Sequence, residues 1–105
     1  MFLENVLSDI NFRLVLDKYD KDYLEKLDVY KFASIYNVFI DNKFYFIEDL
    51  MVKYLEMFTL SDDIVKEAIT NLKEEYGDDF IYSIGKDLTI LDNAICEEIE
   101  NRLDK

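Results

Sequence analysis

The feature that most constrains this chain is the spacing of its apolar residues, which recur three and four positions apart along almost the whole sequence. That period matches the α-helix, whereas a half-buried strand alternates every second residue. Leu3, Val6, Leu7, Ile10 and Leu14 define an amphipathic helix over residues 2 to 17, with Asp9 as a candidate break point. The charged cluster from Asp17 to Asp22 lacks periodicity, so a turn belongs there, with Asp20 offered as the N-cap of the next helix.

From Tyr23 the apolar residues are dense. Val29, Phe32, Ala33, Tyr36, Phe39 and Ile40 form one stripe, and Leu24, Leu27 and Tyr30 a neighbouring one, as in a central helix. Residues 38–46 read either as a helix–turn–helix connection or as a β-hairpin, because Asp-Asn tolerates the positive φ of a tight turn. The helical reading is favoured, since Ile47, Leu50, Met51, Tyr54, Leu55 and Phe58 resume helical spacing at once.

Ser61 then stands as an N-cap, with Asp62 and Asp63 complementing the positive helix end and Leu60 set to pack on Val65. Val65, Ala68, Ile69, Leu72 and Tyr76 line one face, and Gly77 supplies a left-handed residue to end the helix. Residues 78–86 read as a short helical turn closed by Gly85, or the runs Phe80 to Ile84 and Leu88 to Leu91 pair as a hairpin across Gly85-Lys86. Leu88, Leu91, Ile95, Ile99 and Leu103 describe a final helix, for which Thr89 and Asp92 form a capping box. The expected fold is all-α: a compact bundle of about five short helices forming a single acidic domain over 1–105, with a small β-hairpin as the open alternative.

Composition narrows the function classes. Half of the residues are hydrophobic, enough for one core despite a formal charge of -12. The single cysteine, Cys96, has no internal disulfide partner, and no basic-then-apolar leader pattern opens the sequence, so a reducing cytoplasm is the expected location, the host's if the protein is phage-encoded. Apolar runs are broken by charges well before the roughly 20 residues a membrane span needs. The preference for Phe, Tyr, Ile, Asn and Lys suggests A/T-rich coding, as in a low-GC bacterium or its phage.

Histidine is absent, which removes Ser-His-Asp, Cys-His and His-based metal constellations. Cys96 sits beside Ile95 among Glu97, Glu98 and Glu100, where negative charge disfavours the thiolate, so it reads as a packing residue. The doublets Asp62/Asp63, Glu74/Glu75, Asp78/Asp79 and Glu97/Glu98 invite a Mg²⁺ or Ca²⁺ reading, but adjacent residues on a helix diverge by about 100° and seldom chelate. Two separated glycines give no phosphate loop, and no window concentrates Lys and Arg. The expectation is a non-enzymatic protein with no cofactor, no metal and no direct nucleic-acid or membrane binding.

What remains is the acidic excess. Residues through Leu60 carry a net -4 and those from Ser61 onward a net -8. Such acidity either merely keeps the protein soluble or serves binding, since carboxylates projecting from helices at several-ångström intervals can imitate the phosphate spacing of nucleic acid and attract basic proteins. Asp62, Asp63, Glu74, Glu75, Asp78, Asp79, Glu97, Glu98 and Glu100 are therefore the candidate partner-binding residues. The partner expected is a basic, nucleic-acid-handling protein, inhibited by an anti-CRISPR or anti-restriction type of nucleic-acid mimic; in size and composition such a chain is similar to phage-encoded inhibitors of host defence. The competing expectation is a structural or regulatory subunit, a homodimer or antitoxin-like partner, that uses an apolar face of the second or last helix.

Overall fold

The computed structural model describes residues 1–103. Eight α-helices follow one another: α1 (Leu3–Val6), α2 (Asp9–Lys18), α3 (Lys21–Glu25), α4 (Val29–Asp41), α5 (Ile47–Lys53), α6 (Asp62–Tyr76), α7 (Phe80–Lys86) and α8 (Thr89–Leu103). Two 3-10 segments, Leu55–Thr59 and Gly77–Asp79, join α5 to α6 and α6 to α7. Among the described residues there is no strand, so both hairpin alternatives give way to helical connections.

The all-α bundle is the one expected from the sequence, and its helical stretches are subdivided because polar caps interrupt runs whose apolar spacing continues. The Ser8 hydroxyl accepts from the Asn11 N–H at 3.4 Å and starts α2. Asp28 accepts from the N–H groups of Tyr30 and Lys31 at 2.9 and 3.2 Å, which separates α3 from α4. Asp20 and Ser61 occupy the expected N-cap positions of α3 and α6 without making a side-chain cap bond. At the start of α8 the capping box gives way to a simpler device: Asp87 accepts from the Thr89 N–H at 3.1 Å and its hydroxyl at 2.6 Å, which leaves Asp92 out of the cap.

Each break resets helical phase, and this moves the buried face. Leu3 and Leu7 are buried as expected, but Ile10 is 75% and Leu14 47% exposed, because α2 restarts at Ser8 and turns Val15 inward instead. In α4 the buried set is Phe32, Ile35, Val38 and Phe39, while Val29 and Ile40 face solvent. The connection at 42–46 is a tight turn in which Lys43, rather than Asp41 or Asn42, takes the positive φ of 64°.

α6 packs along α8, α4 lies against α6 and the 55–59 turn, and α2 lies against α5. Phe58 sits at the centre, stacked on Phe32 with centroids 4.9 Å apart and edge-on to Phe39 at 5.4 Å. Phe39 in turn meets Phe44, and Phe44 meets Phe46. Polar ties join α2 to α5: Glu48 accepts from the Ser8 N–H (2.7 Å) and the Asn11 amide (3.2 Å), and the Lys18 ammonium donates to the Lys53 carbonyl at 2.6 Å. Beyond them the Tyr19 hydroxyl donates to Glu56 at 2.7 Å and accepts from the Leu55 N–H at 3.3 Å. The order of these ties along both segments makes α2 and α5 parallel. Lys18 there satisfies one of the carbonyls that every helix end leaves unpaired.

Candidate partner-binding surface

Among the described residues no polar or charged side chain is buried, so the interior holds no group for acid–base or metal chemistry. Nor, among the described residues, does any group of three or more Cys, Asp and Glu side chains converge as a metal site. Among the described residues no helix is long and apolar enough to cross a membrane. Whatever chemistry the described residues offer is on the surface.

The nine carboxylates selected from the sequence fall on one side of the fold's element order: α6, the 77–79 turn and α8. α6 and α8 run antiparallel. Residues just before α6 (Met57, Thr59, Leu60) share a groove with Ile95 and Ile99, whereas the end of α6 (Leu72, Glu75, Tyr76) shares a depression with Ile90, Ala94 and Glu97. That depression, of about 190 Å³, brings Glu75 and Glu97 to a common rim. It does not bring all nine together. Eleven residues of helix separate Asp63 from Glu74, about 16 Å of rise, so the acidic surface is a band and not a cluster.

Seven of the nine, Asp63, Glu74, Glu75, Asp78, Asp79, Glu97 and Glu100, are exposed and make no ion pair among the described residues. Asp62 and Glu98 are half-buried and engaged. Asp62 lies 3.4 Å from the Lys66 ammonium and accepts from the Ser34 hydroxyl, and the neighbouring Lys66 holds its carboxyl below the usual carboxylate range. Glu98 accepts from Arg102 at 2.9 Å. Their charge is thus largely answered within the chain, and the other seven carry the outward field.

Sequence reasoning missed three carboxylates. Glu67 is exposed one helical turn beyond Asp63 and continues the band; its i, i+4 spacing was a usable signal. Glu56 and Asp92 line the groove between residues 54–60 and α8. Neither belongs to an acidic doublet, and Asp92 reads from the sequence as a capping residue, so only the packed structure brings them together.

Cys96 also departs from expectation. It is exposed and lines the same groove, because Leu91, Ile95 and Ile99 take the inward stripe of α8 and the next residue is turned about 100° away. Burial at the groove edge, then Asp92 and Glu100, push its thiol pKa up, so the group stays a thiol. The aromatic residues divide in the same way: Phe32, Phe39, Phe46 and Phe58 are core, Tyr36 and Tyr54 are half-buried, and Tyr76 is exposed. Of the four tyrosines off the main stripes, Tyr30, Tyr45 and Tyr82 stand 88%, 72% and 58% exposed, while Tyr19 is half-buried against the core. No protein-family model matches the chain, and no curated protein or solved structure matches it either.

Proposed function

We propose that this chain is a non-enzymatic inhibitor or adaptor that docks onto a basic, nucleic-acid-handling protein through the acidic band of α6, the 77–79 turn and α8. The observation that supports the reading is the set of seven exposed carboxylates without ion-pair partners among the described residues, carried by two antiparallel helices and the turn that follows the first of them. Such a surface repels phosphate and steers a basic groove toward itself, which is how a nucleic-acid mimic of the anti-restriction or anti-CRISPR kind would work. The dry core and the absence of histidine favour a binding role over catalysis.

The test is capture from a low-GC bacterial lysate by the tagged chain, with bound proteins identified by mass spectrometry. A nucleic-acid-binding protein that is released by moderate salt, displaced by added DNA, and not retained by the Glu74→Lys, Glu75→Lys, Asp78→Lys, Asp79→Lys variant supports the proposal. Retention that is indifferent to salt and to the four substitutions, or no retained protein, overturns it.

A second reading, a homodimeric or antitoxin-like subunit, draws support from the apolar side chains left in solvent on α4, Val29 and Ile40, and from the apolar groove beside α8. It expects salt-insensitive self-association, which sedimentation across a concentration series detects.

A further inference from the structure

The groove between the 54–60 segment and α8 has a floor of Tyr54, Met57, Leu60, Ile95 and Ile99, with Cys96 beside them. Its volume is about 230 Å³, below the roughly 300–1,000 Å³ of pockets that enclose small-molecule ligands. A cavity of that size takes an anchoring side chain from a partner, the arrangement in which interface energy concentrates.

Among the described residues the charges in its lining have one sign: Glu56 and Asp92 belong to it, and no Lys or Arg does. Asp92 and Glu100 act on the Cys96 thiol, and Asp92, Asp87 and Glu56 act on the Tyr54 phenol, so negative potential reaches the groove from both of its walls. An apolar slot with a carboxylate on each wall complements a helix that is apolar on one face and basic on its flanks.

We propose that this groove receives an amphipathic basic helix of the partner, its apolar anchor seated against Met57, Leu60 and Ile99 and its Lys or Arg residues facing Glu56 and Asp92. The inference rests on the basic partner proposed above and adds the site of anchoring. The acidic band then supplies long-range attraction, and the groove supplies residence time and choice among basic partners.

Cys96 gives the measurement a built-in reporter, since it is the only cysteine and is exposed at the groove. The probe is a synthetic Leu/Lys peptide with leucines at i, i+3, i+4 and i+7. The controls are its scramble, of equal charge and composition, and a Leu/Glu peptide of the same pattern. Peptide affinity is read by fluorescence anisotropy and groove occupancy by the rate of Cys96 alkylation. The proposal expects the patterned Leu/Lys peptide to bind at least about tenfold more tightly than its scramble, one decade being about 1.4 kcal/mol, and to slow alkylation at saturation. Asp92→Lys and Ile99→Gln, each checked for native helicity, should each remove most of that preference.

Equal binding by the scramble, unchanged alkylation at saturation, or equal binding of the Leu/Glu peptide overturns the groove assignment. So does protection of Cys96 by rising concentration of the chain alone, which would make a second copy the occupant. The two failures separate cleanly: if the four-lysine variant loses its captured partner while the groove shows no patterned-peptide preference, the acidic docking surface stands and the groove does not.

Discussion

Replacing Gly77 tests how α6 is brought to an end. Its φ of 68° and ψ of -148° lie outside the left-handed helical region that sequence reasoning assigned, in a region essentially reserved for glycine. A side chain there meets no atom within 4 Å, so the cost of Gly77→Ala lies in the backbone alone. Holding an L-residue in such a conformation costs about 1–3 kcal/mol, and the reduced freedom of the unfolded chain returns about 0.4–1 kcal/mol. The net loss is about 1–2 kcal/mol, a fall in Tm of roughly 5–15 °C for a domain of this size. Asparagine separates the two geometries. It is accommodated in the left-handed helical region but not here, so Gly77→Asn should cost about as much as Gly77→Ala. Urea unfolding monitored by circular dichroism provides the free energies. A Gly77→Ala cost under about 0.5 kcal/mol, the scatter of neutral surface changes, or an asparagine variant as stable as the parent, would refute the reasoning.

Three further perturbations probe the supports of the fold. Glu48→Gln should lower stability by about 1 kcal/mol through weaker acceptance from Ser8 and Asn11. Those bonds hold the Glu48 carboxyl below its ordinary 4.5, so its contribution is fully present above that pH and is lost as pH falls through the lower folded value; acid unfolding of E48Q should lack that component. Asp28→Ala removes the cap of α4 and should cost about 0.5–2 kcal/mol by thermal unfolding, with Asp28→Ser recovering most of it. Burial raises the phenols of Tyr23 and Tyr54, and burial with the bond to Glu56 drives that of Tyr19 well above its ordinary value, so alkaline spectrophotometric titration should show Tyr19 as the last tyrosine to ionise. That tyrosine should be restored to the ordinary range by unfolding and be missing from Tyr19→Phe.

The helical class was legible because apolar period survives in every segment, and α6 was legible almost residue by residue: Val65, Ala68, Ile69 and Leu72 are all buried. What escaped was phase. A Ser8 or Asp28 cap is a small local signal, yet each rotates the following helix, which is why Ile10, Leu14 and Ile40 face solvent against the periodic reading. The acidic band was legible as composition, since charge needs no tertiary information to count. Its division into the engaged Asp62 and Glu98 and the seven outward carboxylates rests on two i, i+4 pairs, with Lys66 and Arg102, whose spacing was a usable signal; only the reach of Ser34 from α4 to Asp62 needed the packed structure. The groove was least legible. Tyr54, Asp92, Cys96 and Ile99 come together only through the packing of α8 against the segment that leads into α6.

Docking through the acidic band is tested most directly by the association rate of the captured partner at several ionic strengths. The parent chain and the Glu74→Lys, Glu75→Lys, Asp78→Lys, Asp79→Lys variant are compared by stopped flow. Electrostatic docking predicts an association rate for the parent that falls steeply with salt, and for the variant a rate at least about tenfold lower at low salt with a nearly flat salt dependence. Equal rates and equal salt slopes for the two proteins would contradict it.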